Sequence, residues 1–576
     1  MNPNLDMADL LVGELAACGL RAVCIAPGSR STPLTLAFHR HPQIEVFLHL
    51  DERSGSFFAL GLALASERPV AIVCTSGTAA AEFHAAIIEA RQAHVPLLVL
   101  TSDRPHELRH SGANQTVDQV KMYGDHVLWA VDMALPTPDE PHVARRNVRT
   151  MAARAYMIAD GIIKGPVHLN FPFRKPLEPD PQSLPSVSPS TQPAVKQQRG
   201  RLRLDTDQLA PLLQLIDRHE RGIFVCGPCS PGAEFPELLS ALSRRCGYPI
   251  FADPLSGLRF GPHTSAAPIV GGYESFLAAG MPPWGAPQVV IRFGAVPTSK
   301  ALNQYLTDSE PEQYIHIRAN GVWADDSHLV NHFIQADELD LCRQLLAALE
   351  PRPTSTWQQA IMETEQATWQ AIDDFQDRTF YDATAITHLM AAIPPHTRLF
   401  VGNSLPIRHL DQFAQPSPTP LQVFANRGAS GIDGTTSTAL GIAAHGDEQT
   451  VLVTGDVAFY HDLNGLLAVD QHGLSRLTIV LLNNNGGNIF RRLPIARIDP
   501  PFSSLFLTPH GLDFAAVARM YGLDFMRTKE RDDFDAALTA AFKNATPEVI
   551  ELRSDGERDH QVRQMLVESI SKRLRS

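Results

Sequence analysis

The chain has 576 residues, which is too long for one hydrophobic core and predicts about three domains. Hydrophobic residues make up 44% of the chain and charged residues 19%, a composition that excludes a disordered protein. The net charge is -13, and the basic residues are scattered along the chain, which excludes a nucleic-acid-binding surface.

The location of the protein is indicated by its apolar runs and its cysteines. No apolar run is long enough to cross a bilayer, and residues 1–10 contain two acidic residues and no basic one, unlike a secretory signal. The chain has 7 cysteines, an odd and sparse number that argues against a disulfide framework. We therefore expect a cytoplasmic protein with no integral membrane segment.

Short β-rich runs alternate with helix-like stretches along the whole chain, which predicts buried parallel strands. The predicted strands are 21–26, 70–75, 96–101, 167–171, 222–226, 248–252, 288–293, 313–317, 399–401, 450–454, 477–482 and 549–552, with a helix over 357–380. We expect three consecutive Rossmann-like, doubly wound α/β domains, whose sheets can hold ligands at the carboxyl ends of their strands.

Composition marks the domain boundaries. Residues 179–200 are rich in Pro, Ser and Gln, which is typical of an exposed linker. The predicted organisation is an N-terminal α/β domain over 1–185, a Pro/Ser-rich linker over 186–203, a middle α/β domain over 204–352 and a C-terminal α/β domain over 353–576.

Two predicted strands of the C-terminal domain end in polar residues. The strand 450–454 runs into Gly455-Asp456, and the strand 477–482 runs into 483–487, which reads Asn-Asn-Asn-Gly-Gly. Adjacent parallel strands would bring both ends together. Either segment alone is more often a turn or a loop, but the two together predict a ligand site.

The chemistry of these residues suits a divalent metal with a diphosphate. Mg²⁺ prefers oxygen ligands and shares them with phosphate, and Asp456, an Asn amide and a glycine carbonyl can supply such oxygens. Asn483 and Asn484 are rivals for the amide ligand. Glycines let the backbone approach a diphosphate, and a helix predicted over 462–471 would point its positive end at it.

This pair of segments resembles the signature of thiamine-diphosphate-dependent enzymes, Gly-Asp-Gly followed by Asn-Asn, with Val457 in place of the third glycine. The resemblance implies thiamine diphosphate, Mg²⁺ or Mn²⁺ as the metal, and a glutamate that activates the cofactor from an N-terminal domain. Glu52, which follows the apolar run 46–50, is our candidate, and burial would raise its pKa. In such enzymes the glutamate and the metal site come from different subunits, so a homodimer is the minimum and a tetramer is an alternative.

Further segments resemble one subfamily, the 2-succinyl-5-enolpyruvyl-6-hydroxy-3-cyclohexene-1-carboxylate synthases (the MenD family), which also lack the third glycine. These segments are 26–35, 51–53, 75–79, 102–105, 112–115, 403–408, 426–434 and 483–490. The resemblance implies a transferase that decarboxylates 2-oxoglutarate and adds the resulting succinyl-semialdehyde carbanion equivalent to isochorismate, in menaquinone or phylloquinone biosynthesis. Both substrates are dicarboxylates, which arginine binds well.

The resemblance also implies the roles of individual residues. Catalytic roles fall on Glu52, Gln115, Arg408 and Arg427, and substrate binding on Ser29, Arg30, Arg104, Asn114, Gln115, Lys300, Ser404, Arg408 and Arg427. Cofactor binding falls on Glu52, Thr78, Ser404, Gly455, Asp456, Asn484, Gly486, Ile489 and Phe490, and metal binding on Asp456, Asn484 and Gly486. In some relatives a second basic residue follows Lys300; Ala301 stands here, and Arg491 and Arg492 are candidates to take its place.

Other interpretations are weaker but remain open. Another 2-oxoacid decarboxylase or carboligase on the same scaffold, or a non-catalytic binding relative, would share the fold. A dinucleotide-dependent oxidoreductase is disfavoured because no Gly-x-Gly-x-x-Gly follows a first strand. Cys226-Gly-Pro-Cys229 has the spacing of a redox motif, but the Ser-Pro-Gly that follows favours a turn, and no Cys/His spacing suggests zinc.

Overall fold

The computed structural model describes residues 2–180, 192–280, 282 and 284–575, so positions 186–191 of the predicted linker lie outside the described residues. The chain forms two compact units, one comprising Met1–Arg199, Asn426–Asp447 and Ala458–Ser475, the other Gly200–Ala425, Glu448–Val457 and Arg476–Ser576. Three parallel six-stranded sheets confirm the predicted fold class. No helix among the described residues is long and apolar enough to span a membrane.

The first unit contains one sheet with helices around it. Its strands are β1 (Ala22–Ile25), β2 (Glu45–Leu48), β3 (Val70–Cys74), β4 (Leu97–Asp103), β5 (Trp129–Asp132) and β6 (Val167–Pro172), in the order β2-β1-β3-β4-β6-β5. Its helices up to residue 199 are α1 (Pro3–Cys18), α2 (Thr32–Arg40), α3 (Glu52–Ser66), α4 (Thr78–Glu82), α5 (His84–Ala93) and α6 (His142–Ala159). The central strands are buried on both faces, which explains their continuous apolar sequence.

The second unit contains the other two sheets, the first of them built from the middle of the chain. Its strands are β7 (Gly222–Cys226), β8 (Ile250–Ala252), β9 (Ile269–Val270), β10 (Val289–Phe293), β11 (Gln313–Ile317) and β12 (His332–Ile334), in the order β12-β11-β10-β7-β8-β9. The helices of this part are α7 (Thr206–Arg218), α8 (Phe235–Cys246), α9 (Tyr273–Ala278), α10 (Lys300–Ser309) and α11 (Glu338–Ala348).

The last sheet carries the predicted metal segment. Its strands are β13 (Arg398–Val401), β14 (Gln422–Phe424), β15 (Thr450–Gly455), β16 (Leu477–Asn483), β17 (Asp524–Thr528) and β18 (Glu548–Arg553), in the order β14-β13-β15-β16-β18-β17. The helices from residue 356 onward are α12 (Thr356–Gln376), α13 (Ala385–Ala392), α14 (Leu405–Phe413), α15 (Thr435–Ala443), α16 (Asp456–His461), α17 (Leu467–Gln471), α18 (Phe514–Met520), α19 (Arg531–Lys543) and α20 (Gly556–Arg575). Of these, α15 and α17 belong to the first unit.

Every strand in the predicted set is present, whereas six strands are absent from that set. These six, β2, β5, β9, β12, β14 and β17, are the edge strands of the three sheets, and only β2 overlaps an apolar run that the sequence showed, 46–50. An edge strand has a neighbouring strand on one side only and is less buried; β14, for example, has no fully buried residue. A search for continuous apolar runs therefore finds central strands and misses edges.

The helix predicted over 462–471 is wrong as a single helix. Helix α16 begins at Asp456 itself and ends at His461, a 3-10 turn covers Leu463–Leu466, and α17 follows. Asp462 interrupts the helix with a non-helical backbone, because its buried carboxylate accepts hydrogen bonds from the backbone N–H and the hydroxyl of Ser437. The sequence around Asp462 could not predict this contact, because Ser437 lies far away in the sequence, on α15.

Helices α3 and α15 of the first unit pack with their backbones in contact. A Cβ added at Gly61 would lie 2.0 Å from the carbonyl oxygen of Thr438, and one added at Gly441 would lie 2.0 Å from that of Phe58. Both positions therefore require glycine for close approach rather than for an unusual backbone angle. Because α3 begins at Glu52, this packing holds the helix that carries the predicted activating glutamate.

A buried polar network joins β4 and β6 of the first sheet. Thr101 and Nε2 of His168 are 2.7 Å apart, and the Thr101 hydroxyl also donates to Asn170 at 2.8 Å. Gln119 donates to Asn170 at 3.0 Å and accepts from the Gly77 N–H at 2.9 Å. The network thus supports Gly77, whose positive φ of 89° sets the turn before Thr78.

Replacing Gly441 by alanine should separate α3 from α15. The new methyl group would overlap the Phe58 carbonyl oxygen, so we expect Gly441→Ala to lower the free energy of unfolding by about 1–3 kcal/mol. Gly13→Ala is the matched control, because nothing lies within 4 Å of a Cβ there, and it should raise stability by up to about 1 kcal/mol. Urea denaturation of the three proteins measures both changes, and equal midpoints for Gly441→Ala and the parent chain would contradict the packing argument.

His168 should make stability depend on pH. Burial lowers the pKa of His168 to about 4, whereas an unfolded histidine has a pKa near 6.5. The contribution of neutral His168 is therefore complete above pH 6.5 and is lost as the pH falls towards 4, a loss of about 3 kcal/mol. We expect His168→Gln to flatten this part of the stability profile, whereas His39→Gln, at an exposed position, should leave it unchanged. Unfolding midpoints measured between pH 4 and 8 give the slopes, and equal slopes in all three proteins would rule out this role.

Candidate active site

Residues predicted to bind substrate or cofactor collect at one edge of the first sheet. Ser29 and Arg30 follow β1, Thr78 follows β3, and Arg104 follows β4. These three strands are neighbours and run parallel, so their carboxyl ends lie along the same edge. Ligands of parallel α/β sheets bind at such edges.

Arg104, Asn114 and Gln115 are joined through the turn that follows β3. The Arg104 guanidinium donates to the hydroxyl of Ser76 and, at 2.8 Å, to the carbonyl oxygen of Asn114. Gln115 donates from its amide to the Ser76 carbonyl at 3.0 Å and accepts from the Ser76 hydroxyl at 3.1 Å. Sequence reasoning did not single out Ser76, although it stands inside a segment that carried the resemblance.

Two arginines of this edge are close enough to repel each other. Arg30 is buried and donates to the carbonyl oxygen of Phe173 at 2.8 Å. Burial first, and then repulsion from Arg104, lowers the pKa of Arg30; burial also lowers the pKa of Arg104. The two guanidinium groups repel each other, and a ligand that carries carboxylates would reduce this repulsion by pairing with them.

Glu52 is the first residue of α3, and Asp51 caps the helix by accepting from the Arg53 N–H at 3.1 Å. Burial raises the pKa of the half-buried Glu52 carboxyl, as predicted, while its own backbone N–H acts in the opposite sense. Glu52 also helps to raise the pKa of Cys74, which ends β3. A carboxyl whose pKa is raised by burial is suited to exchange a proton with a ligand.

In the second unit, the tips of β15 and β16 meet as predicted. The two strands pair in parallel, with Gly455 opposite Leu482. The buried Asp456 carboxylate accepts hydrogen bonds from the N–H groups of Gly486 at 2.9 Å and Val457 at 2.8 Å. His510, which sequence reasoning missed, lies with Nε2 at 3.2 Å from the same carboxylate.

The three consecutive asparagines have different partners. Asn483 donates at 2.5 Å to the buried carboxylate of Glu551, and Asn485 accepts from the backbone of His510 and Gly511. The Asn484 side chain accepts from Asn488 at 2.9 Å and bonds to Asp382, at the wall of a small cavity. Asn483 thus bonds to a buried carboxylate and Asn485 to the loop at 510–511, whereas Asn484 lies at the wall of the cavity.

Glycines surround this segment for two reasons. A Cβ at Gly486, where φ is +136°, would lie 2.0 Å from the Leu507 carbonyl oxygen, so the chain itself requires glycine there. At Gly455 nothing lies within 4 Å of an added Cβ, so no protein atom demands glycine. Open space above a strand tip beside a buried carboxylate fits a metal-bound diphosphate.

The other predicted residues of the second unit flank α14 and the loop after β16. Ser404, with φ at 72°, precedes α14, and its carbonyl oxygen accepts from Arg408 at 2.6 Å. Ile489 and Phe490 form a 3-10 turn in which Phe490 meets Phe506 edge to face at 5.6 Å. Lys300 is exposed at the start of α10.

Arg491 and Arg492 contact protein groups. Arg491 donates to the Asn488 side chain at 2.9 Å, a bond within its own turn. Arg492 lines the cavity with Asp382 and Asn484, and burial lowers the pKa of Arg492 to about 10. Their proposed substitution for a basic residue at position 301 stays a prediction.

The Cys226-Gly-Pro-Cys229 segment forms the end of β7 and the turn that follows it. Burial raises the pKa of both thiols well above the ordinary value. A reactive redox cysteine needs a lowered pKa, so the environment agrees with the prediction of a turn. Within the described residues, no group of three His, Cys, Asp or Glu side chains could hold a metal ion.

Comparison with sequence families assigns all three parts of the chain. Residues 5–122 match "Thiamine pyrophosphate enzyme, N-terminal TPP binding domain", residues 190–401 match "Middle domain of thiamine pyrophosphate", and residues 408–552 match "Thiamine pyrophosphate enzyme, C-terminal TPP binding domain". A thiamine diphosphate-dependent 4-hydroxybenzoylformate decarboxylase from Rhodococcus jostii RHA1 has a similar fold, with a TM-score of 0.71, 17% identity, and coverage of 95% of this chain and 99% of that one.

Curated relatives match at much higher identity. The 2-succinyl-5-enolpyruvyl-6-hydroxy-3-cyclohexene-1-carboxylate synthase of Roseiflexus sp. is 52% identical over 99% of this chain and 98% of its own length. The synthase of the same name from Haloquadratum walsbyi is 44% identical over 100% of this chain and 99% of its own length. The chain therefore belongs to the 2-succinyl-5-enolpyruvyl-6-hydroxy-3-cyclohexene-1-carboxylate synthase family of thiamine-diphosphate-dependent enzymes.

Proposed function

We propose that this chain is a transferase that decarboxylates 2-oxoglutarate and adds the remaining four-carbon unit to isochorismate by 1,4-addition, in menaquinone or phylloquinone biosynthesis. The observation that carries the proposal is the pair Arg30 and Arg104 at the edge of the first sheet, where burial first, and then repulsion from Arg104, lowers the pKa of Arg30. Both substrates carry two carboxylates, which such a pair would bind. The identity to synthases over the whole chain supports the same reaction.

The cofactor in this proposal is thiamine diphosphate, which supplies the nucleophile and the electron sink that decarboxylation needs. Glu52 exchanges a proton with the cofactor, and its raised pKa supports that role. Gly455 leaves space for the diphosphate, and Thr78, Ser404, Ile489 and Phe490 would contact the cofactor.

The metal in this proposal is Mg²⁺ or Mn²⁺, held by Asp456, Asn484 and the carbonyl oxygen of Gly486. Oxygen donors of this kind suit a hard cation. The Gly486 carbonyl oxygen accepts from the Asn488 N–H at 2.9 Å, and a carbonyl oxygen has a second lone pair to offer. Because Asn483 already donates to the Glu551 carboxylate, Asn484 is the better candidate for the amide ligand of the metal.

The substrate residues in this proposal are Arg30, Arg104, Arg408 and Arg427 for the carboxylates, with Ser29, Asn114, Gln115 and Lys300 as polar partners. Arginine is favoured because its planar group bonds a carboxylate through two parallel N–H groups. The side-chain hydrogen bonds of Arg104 go to neutral oxygens of Ser76 and Asn114, and burial lowers the pKa of Arg104 while the neighbouring Asp103 acts in the opposite sense.

We also propose that a homodimer is the minimum active unit. Within each chain, the proposed domains are 1–185, 204–352 and 353–576. Leu48 and Leu50, just before Glu52, are 44% and 62% exposed, and a second copy of the chain would cover them. A cytoplasmic location is supported by the seven cysteines, all of which are free thiols. Analytical ultracentrifugation tests the dimer.

The reaction is tested with purified protein, Mg²⁺ and thiamine diphosphate. We expect 2-oxoglutarate to be consumed with release of CO₂ and product to form only when isochorismate is present. Product formation after exhaustive chelation and dialysis would overturn the cofactor assignment. Faster turnover of pyruvate than of 2-oxoglutarate, or another preferred acceptor, would favour a different carboligase on the same scaffold.

Replacing Glu52 by glutamine should abolish cofactor activation. The amide keeps the shape of the side chain but cannot take up the proton, so we expect C2 proton exchange of bound thiamine diphosphate to slow by about 10²–10⁴-fold. Metal affinity should change little. NMR of deuterium exchange at C2 measures the rate, with Glu45→Gln, at an exposed position, as the control. An unchanged rate in Glu52→Gln would remove this role.

Asn483 and Asn484 should respond differently to substitution by alanine. Asn483→Ala leaves the buried Glu551 carboxylate short of a donor, so we expect a loss of stability of about 1–3 kcal/mol with unchanged metal affinity. Asn484→Ala should weaken Mg²⁺ binding by at least about 10-fold, because even outer partners of metal ligands contribute that much. Thermal unfolding and Mg²⁺ titration in the presence of the cofactor separate the two effects. The reverse pattern would make Asn483 the ligand.

A further inference from the structure

Glu89 has an environment that the proposed reaction does not explain. It lies in α5 with 3% of its surface exposed, among the apolar residues of that helix. Its carboxylate accepts hydrogen bonds from three consecutive backbone N–H groups, those of Gly428 at 2.7 Å, Ala429 at 2.6 Å and Ser430 at 3.3 Å. All of these residues belong to the first unit.

The carboxylate and the loop depend on each other. A buried carboxylate is unfavourable unless hydrogen bonds replace its water, and three N–H donors do so here. Burial raises the pKa of Glu89, whereas the three N–H groups and the positive charge of Arg427 lower it. The N–H groups, in turn, belong to a segment outside any helix or strand and so need a partner of this kind.

The loop is also in close contact with α5. A Cβ at Gly428 would lie 2.6 Å from the Glu89 carbonyl oxygen and 2.7 Å from the Ala93 nitrogen. Ser430 has a left-handed backbone, with φ at 61°. On the other side of Arg427, the Asn426 amide donates to the Thr438 hydroxyl at 3.0 Å. Arg427 therefore stands between two anchors, one on α5 and one on α15.

We infer that Glu89 is a positioning residue for Arg427: its carboxylate holds the backbone at 428–430 so that the arginine is presented to a substrate carboxylate in one orientation. This inference rests on the proposed function, in which Arg427 binds substrate. An arginine whose backbone is already ordered loses less entropy on binding than one on a mobile loop. Glu89 itself acts through the loop and touches neither substrate nor cofactor in this scheme.

The first test measures the loop without any substrate. Glu89→Gln replaces one acceptor oxygen by an NH₂ group that faces N–H donors, so the loop should be released. We expect hydrogen exchange of the amides at 428–430 to accelerate by at least about 10-fold, since they lose a charged acceptor. Glu45→Gln, at an exposed position of the same unit, should not change it. Unchanged exchange at 428–430 in Glu89→Gln would overturn the inference.

The second test asks whether Glu89 acts through Arg427. We expect Glu89→Gln to lower kcat/KM by about 10–100-fold without changing the C2 proton exchange of the bound cofactor. In a cycle with Arg427→Lys, the two effects should be strongly non-additive, because the loop matters only through the arginine. Additive effects would show that Glu89 has only a general structural role. That result would overturn the inference.

A third variant covers the case in which Glu89→Gln fails to fold. Gly428→Ala keeps the carboxylate and pushes the loop away from α5, so it should give the same exchange and kinetic changes. Wild-type-like exchange and kinetics in Gly428→Ala would count against the inference. An inactive parent chain would instead refute the proposed function, and the exchange measurement would still report on the loop.

Discussion

Parallel pairing of β15 with β16 is the constraint on which the second half of the site depends. It sets Gly455 opposite Leu482, so the residues after the two strands lie side by side. The Gly486 N–H then bonds to Asp456, a contact across 30 positions of sequence. Without this pairing the buried Asp456 carboxylate would lose the Gly486 N–H as a donor, which is unfavourable for a buried charge. The same contact turns two ordinary loops into one candidate metal site.

Buried carboxylates that bond to backbone N–H groups recur through the molecule. Asp456, Glu89 and Asp462 each accept such bonds, and in the second unit Glu365 accepts from Gly271 and Gly272. In each case an acidic side chain orders a loop or the start of a helix. Burial raises the pKa of each of these carboxyl groups, and the N–H donors act in the opposite sense without adding a positive charge.

Positive charge is arranged in the complementary way at the edge of the first sheet. Arg30 and Arg104 donate to the neutral oxygens of Phe173, Ser76 and Asn114. Their charges therefore repel each other, and a dicarboxylate ligand would relieve this repulsion. Gln119 supports this edge by accepting from the N–H of Gly77, the residue after Ser76, whose hydroxyl accepts from Arg104.

The sequence by itself determined the three parallel sheets, the family, and the strand ends that carry Asp456 and Asn484. Central strands are apolar throughout and glycine turns are local, so both can be read along the chain. Only the tertiary structure decided the edge strands, the break at Asp462, the bond of Asn483 to Glu551, and the contacts of His510, Asp382 and Glu89. These depend on residues far apart in sequence, such as Glu89 and Ala429, whose hydrogen bond exists only once the chain has brought α5 beside a distant loop.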